Sequence, residues 1–177
     1  MKPILLLALL SLFISQVQAQ SLKKVPIKTA TNNTGCSVYS FCDLTFSVTP
    51  SPDSSEVYLG ECIKDSLVYG VVFVKLAKEA IATDFDVAID LTISYLDFLK
   101  SNLTITSTAG YGKGLTLRNN ENIRGVVDYW EDQEKNNWKI KAWTDKTFIC
   151  VLYAYSNKEL PEQKIDAFLN GLTVPGM

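Results

Sequence analysis

The residues best equipped for recognition lie in the second half of the chain. Tyr111, Tyr129, Trp130, Trp138 and Trp143 are interleaved there with Arg118, Arg124, Lys139 and Lys141. Trp and Tyr combine a large apolar area with one polar handle, and neighbouring guanidinium or ammonium groups add directional contacts. The mixture suits a surface that holds protein, peptide or glycan. Tyr111, Arg118, Tyr129, Trp130, Trp138 and Lys141 are the candidate binding surface. The competing use of such rings is to pack beneath helices, which fits Trp130 and Trp143 best.

The second chemistry on offer is carboxylate chemistry. Asp84, Asp86 and Asp90 cluster, and Asp86 and Asp90 are four apart, so they share a helix face. Such a pair serves metal or acid–base work, yet acidic residues at a helix start also simply complement its dipole. Asn119–Asn122 lacks the alternating oxygen ligands and glycine of a calcium loop. Gly110-Tyr111-Gly112-Lys113-Gly114 lacks the spacing and following helix of a phosphate loop and reads as a tight hairpin. The chain contains no histidine, which removes Ser-His-Asp and Cys-His nucleophilic systems and HExxH metal sites. No catalytic, cofactor or metal residue is assigned. The expectation is a non-catalytic binding or accessory protein. A histidine-free, carboxylate-dependent hydrolase or lyase is the alternative, and a small-molecule carrier a further one. With 17 Lys plus Arg against 19 Asp plus Glu, the net charge of −2 gives no basic excess for nucleic acid. The ligand and the oligomeric state are left open.

The N-terminus indicates export. Lys2 precedes a nearly unbroken apolar run from Ile4 to Ile14, and Val17-Gln18-Ala19 supplies compact residues at −3 and −1. This is a signal-peptide layout with cleavage after Ala19, leading to a secreted or periplasmic protein. The run is too short for a membrane span, and no later segment approaches one. Cys36, Cys42, Cys62 and Cys150 follow the cleavage site. An oxidising compartment permits disulfides, and four cysteines allow three complete pairings. A hairpin over residues 42–48 and 56–63 would set Cys42 opposite Cys62, whereas a one-residue slip would pair Leu44 with Leu59 and part the thiols. Cys150 lies in an apolar strand and suits a buried thiol. Asn32 and Asn102 begin glycosylation sequons, relevant only in a eukaryotic secretory pathway.

These residues are positioned by strands and two helices. Residues 20–40 are polar and rich in Lys and Thr, and read as a mobile leader. Residues 41–174 form a single domain. Alternation at Leu44, Phe46 and Val48 predicts a strand, followed by strands over 57–63 and 67–76, the last apolar on both faces and so central. Phe85, Ile89, Thr92, Leu96 and Leu99 make one helical stripe in a helix beginning at Thr83, with Asp86 completing a capping box. Strands follow over 103–108, 123–130, 138–143 and 148–155. A loop near Glu134 sets Trp130 opposite Trp138 and Asp128 opposite Ile140, and an Asp145-Lys146 turn sets Trp143 opposite Phe148. Pro161 opens a closing helix whose apolar face is Ile165, Phe168, Leu169 and Leu172. The order implies an α+β fold, an antiparallel sheet flanked by two helices.

This arrangement resembles the PsbP-like fold over residues 71–172. The resemblance is carried by the helix of 84–100, the hairpin Ala109-Gly110-Tyr111-Gly112, the polar-aromatic meander from Val126 to Trp143, the strand Ile149-Cys150-Val151-Leu152-Tyr153, and the end Ala167-Phe168-Leu169-Asn170-Gly171-Leu172. Gly171 stands where the closing motif commonly has Ser. The family comprises a photosystem II subunit, a Ran-binding import factor and exported bacterial proteins of unknown role. The resemblance implies an α/β/α sandwich and a binding or assembly module, with no functional residue carried over.

Overall fold

The computed structural model describes residues 21–177. The segment 1–19, read from the sequence as a signal peptide, lies outside the described residues. Eleven strands and two α-helices are present among them: β1 (Lys23–Lys28), β2 (Asn33–Ser40), β3 (Ser47–Pro50), β4 (Glu56–Lys64), β5 (Leu67–Lys75), α1 (Phe85–Asn102), β6 (Ile105–Thr108), β7 (Gly112–Leu117), β8 (Asn120–Asp132), β9 (Asn137–Thr144), β10 (Phe148–Ser156), α2 (Glu162–Leu169) and β11 (Leu172–Thr173). All pairings are antiparallel. The larger sheet has the order β3-β4-β5-β10-β9-β8-β6, with β7 also on β8, and the smaller has the order β1-β2-β11.

The expected α+β sandwich, α/β/α in layers, is corrected by this architecture. The described residues are 50% strand and 18% helix. One face of the large sheet carries α1. The other carries the small sheet together with α2, so a second β-layer stands where a helical layer was expected. The reason lies in residues 23–40, read from composition as a mobile leader. Val25 and Ile27 in β1, and Cys36, Val38 and Ser40 in β2, are more buried than the residues between them, and Ile27 and Val38 are fully buried. Period-two burial of a few side chains suffices for an edge sheet despite the surrounding Lys and Thr. Pro26 and the lysines on outer strand β1 discourage further pairing.

Alternation also sorts the core into two halves. Tyr69, Val71, Phe73, Cys150, Leu152 and Trp143 point toward α2, where Ile165, Phe168 and Leu169 join them. Val72, Val74, Ile149, Val151, Ile140 and Trp138 point toward α1, against Leu96. β5 is interior, as its two-faced apolar sequence implies. Helix α1 begins one residue later than expected: Asp84, not Thr83, caps it, its side chain accepting from the Val87 N–H at 2.9 Å. Gly171, after α2, runs so close to β2 that a Cβ would lie 2.8 Å from the Tyr39 carbonyl oxygen.

The turn registers differ in two places. Trp143 faces Cys150, not Phe148. The connection is longer than a tight turn because Asp145 accepts from the Thr147 N–H and Lys146 takes a left-handed conformation (φ 85°). Cys42 and Cys62 do form a disulfide, with Cα atoms 6.0 Å apart. The strand leading to it is shorter than expected, since β3 starts only at Ser47, opposite Leu59. Leu44 and Phe46 are buried from an irregular segment, and the Phe46 ring covers Gly60. The cystine thus ties this segment to β4.

Candidate functional site

β8 and β9 are paired so that Trp130 faces Trp138 and Asp128 faces Ile140. Since consecutive strand residues point to opposite faces, this register places Trp130 and Trp138 on the α1 face and Tyr129, Lys139 and Lys141 on the α2 face. The sheet therefore separates the six residues of the candidate surface.

On the α2 side the polar groups act as a clamp. Lys139 reaches Glu162 and Asp166, while Lys141 donates to Asp166 at 2.9 Å and to Asn170 at 3.1 Å. Burial works against the Lys139 charge, but hydrogen bonds to the two carboxylates prevail and hold its pKa above the ordinary value. Tyr129 is exposed and lies 5.3 Å from the Lys139 ammonium. Arg118 donates to the Asn170 carbonyl and sits over Tyr39. These groups fasten α2 to the sheet.

On the α1 side Trp130 and Trp138 are 4% and 6% exposed. Each indole N–H is held by a buried carboxylate: Trp130 donates to Asp128 at 2.7 Å, and Trp138 to Asp132 at 2.9 Å. Asp128 also pairs with Lys100 at 3.1 Å, and the Lys100 ammonium lies 4.1 Å from the centre of the Tyr111 ring. Tyr111 in turn donates to Asp97 at 2.7 Å. Burial pushes the Tyr111 hydroxyl up to about 12, with Lys100 opposing and Asp97 reinforcing the shift.

Beyond Trp138 the face opens. Helix α1 packs over β6, β8 and β9, leaving part of β10, β5 and β4 without a helix above it. The register makes four tiers on this side, about 7 Å apart. The first is Val57–Val74–Ile149, the second Leu59–Val72–Val151, the third Glu61–Gly70–Tyr153 and the fourth Ile63–Val68–Tyr155–Trp138. In the fourth, Trp138 and Tyr155 stack with centroids 3.9 Å apart and planes 17° apart. Tyr153 lies nearly parallel to Tyr155, with 6.5 Å between centroids. Its ring occupies the space above Gly70, where a Cβ would come within 2.0 Å of it, and its hydroxyl donates to Glu61 at 2.6 Å. Tyr153 and Tyr155 are partly exposed, Leu59 is 43% and Ile63 73% exposed. At the other end, over the first tier, a cleft of about 250 Å³ is walled by Leu91, Tyr95 and Phe98 of α1. The cleft and the aromatic tiers lie on the same face of the sheet, and this apolar and aromatic strip beside the helix is the trough.

The sequence reading missed Tyr153 and Tyr155. Their period-two spacing within β10, continued across to Trp138, was the available signal, masked by the apolar run from Phe148 to Leu152 that precedes them.

The acidic candidates lie elsewhere. Asp86 and Asp90 line a cleft of about 450 Å³ with Phe85, Lys113 and Arg124. Both carboxylates are exposed, and Asp90 pairs with Lys113 at 3.7 Å. No group of His, Cys, Asp and Glu suited to a metal is present among the described residues. No helix among them is long and apolar enough to cross a membrane. No known family model matches the chain, and no curated protein matches it significantly.

Proposed function

We propose that the protein is an exported, non-catalytic binding module that takes its ligand in the trough between α1 and β4. The observation that carries this reading is the ring cluster of Tyr153 and Tyr155, both partly open, backed by the buried Trp138 and bordered by exposed Leu59 and Ile63. Contiguous aromatic and aliphatic area of this kind is unfavourable to leave in water and characteristic of recognition surfaces. Fixed indoles add preorganisation, because Asp128 and Asp132 hold both rings before any ligand arrives. The N-terminal pattern supports export, and the Cys42–Cys62 cystine accords with an oxidising compartment. A carboxylate-based hydrolase has less behind it, since Asp86 and Asp90 stand in water and lack the desolvation that tunes catalytic acids.

Peptide and glycan arrays probed with wild type and with Tyr155→Ala test the reading. A set of ligands retained by wild type and lost by the variant is expected. An identical profile for both proteins would overturn the assignment of the trough.

A further inference from the structure

The charges around the open tiers point to the ligand's chemistry. Elsewhere the chain furnishes several of its rings with its own cations: Lys100 lies over Tyr111 and Trp130, Arg118 over Tyr39, Lys139 over Tyr129, Lys164 over Phe41, and both Arg124 and Lys146 over Phe85. Among the described residues no such cation lies over Trp138, Tyr153 or Tyr155. The nearby lysines on this side are engaged: Lys100 by Asp97 and Asp128, and Lys135 by Glu131. The charges that act on Tyr155 are instead all negative. Its hydroxyl pKa is raised by burial and then by Glu61, Asp132 and Glu134. Tyr153 is likewise raised by burial and by Glu61, which accepts its hydrogen bond.

Negatively polarised ring faces beside carboxylates, with no cation supplied from within, form a receptor for positive charge. The exposed aliphatic side chains of Leu59 and Ile63 lie on the same face, at a spacing of four residues along one strand. We propose that the trough binds an extended cationic peptide segment whose every second residue, the set that faces the sheet, is in turn Lys or Arg and aliphatic. The cation sits at Tyr155 and Tyr153 beside Glu61, and the aliphatic side chains lie along Leu59 and Ile63. This inference rests on the trough being the binding site and names its ligand class.

Trp fluorescence gives the readout, because Trp138 stacks on Tyr155. The probes are an Arg-Val peptide, acetyl-(Arg-Ser-Val-Ser)2-amide, in which Arg and Val share one face when extended, its Ser-Val and Glu-Val counterparts with Ser or Glu in place of Arg, and a neutral oligosaccharide, chitohexaose. The Arg-Val peptide is expected to bind at least about tenfold more tightly than the Ser-Val peptide, an advantage that shrinks at high salt. Glu61→Gln is expected to remove most of that advantage, and Tyr155→Leu to abolish binding, with circular dichroism showing both variants folded. If the Ser-Val peptide or chitohexaose binds as well as the Arg-Val peptide, and Tyr155→Leu abolishes it, the cation inference falls while the trough stands. If the Arg-Val peptide binds wild type and both variants equally, or binds none of them, the inference is overturned. Equal binding to Tyr155→Leu counts against the trough as well.

Discussion

The two faces of the large sheet are built from similar strands but closed in different ways. Toward α2, a second sheet, a helix and the Lys139–Asp166–Lys141 clamp cover the strands. Toward α1, one helix covers β8 and β9, and the aromatic tiers continue past it into solvent. The difference shows how a single sheet divides its work. Side chains with no exit to water supply stability, and side chains at the margin of a lone helix stay partly in contact with solvent.

The sharpest way to break this comparison is to weaken the closed face. Phe168 is fully buried and meets Tyr69 edge-on at 5.1 Å. Phe168→Ala is expected to destabilise by about 3–5 kcal/mol in denaturant unfolding, the usual cost of a large core truncation. A loss below 1 kcal/mol would mean that the α2 layer contributes little to the fold.

Opening the cystine comes next. Cys42 and Cys62 close a loop with a sequence separation of 20. Reduction or Cys42→Ser is expected to cost ~3 kcal/mol in the chain-entropy account. The remaining thiols, Cys36 and Cys150, are buried. Burial pushes Cys36 up to about 11 and Cys150 well above its ordinary value. A thiol reagent at pH 8 should therefore find almost no reactive sulfhydryl in the folded protein and two after denaturation. Four would contradict the disulfide.

Asp132 tests how the open face holds its indole. Burial alone would raise its pKa, but hydrogen bonds from Asn136, Trp138 and the backbone N–H groups of Asn136 and Glu134 bring it below the ordinary carboxylate value. A carboxyl depressed on folding stabilises above its unfolded pKa, near ~4, and that contribution disappears as pH falls through the folded value. Asp132→Asn is expected to cost about 1–3 kcal/mol at pH 7 and to flatten the loss of stability below pH ~4. Thermal melts across pH 2–7 for both proteins check this; parallel curves would deny Asp132 that role. The smallest effect is expected from Ile63→Ser, within about 0.5 kcal/mol of wild-type stability, since the side chain is mostly in water. A larger destabilisation would show that the trough belongs to the core and not to a recognition surface.

Part of the scaffold is legible in the sequence. The Trp130–Trp138 pairing followed from a short polar turn between two alternating strands, and the apolar stripes of α1 and α2 followed from helical spacing. The second sheet was not legible, because β1 and β2 bury only isolated residues such as Ile27 and Val38 among lysines, threonines and asparagines. Strand β7 was obscured by Gly112 and Gly114, whose composition suggests a turn. The aromatic and basic residues grouped in the sequence are divided between the two faces for a more elementary reason. Neighbours in sequence such as Tyr129 and Trp130 point to opposite sides of a sheet, and the rings that do meet come from different strands. Long-range register, not local composition, brings Tyr155 onto Trp138.

Gly70 carries an implication of its own. With only a hydrogen at that position, the phenol of Tyr153 lies flat on the main chain and reaches across to Glu61. A single methyl group there would lift the ring away from the sheet, break its grip on the carboxylate and roughen the trough floor. Position 70 is thus a dial on the contour of this face: one atom of bulk directly beneath the Tyr153 ring resets the surface around it.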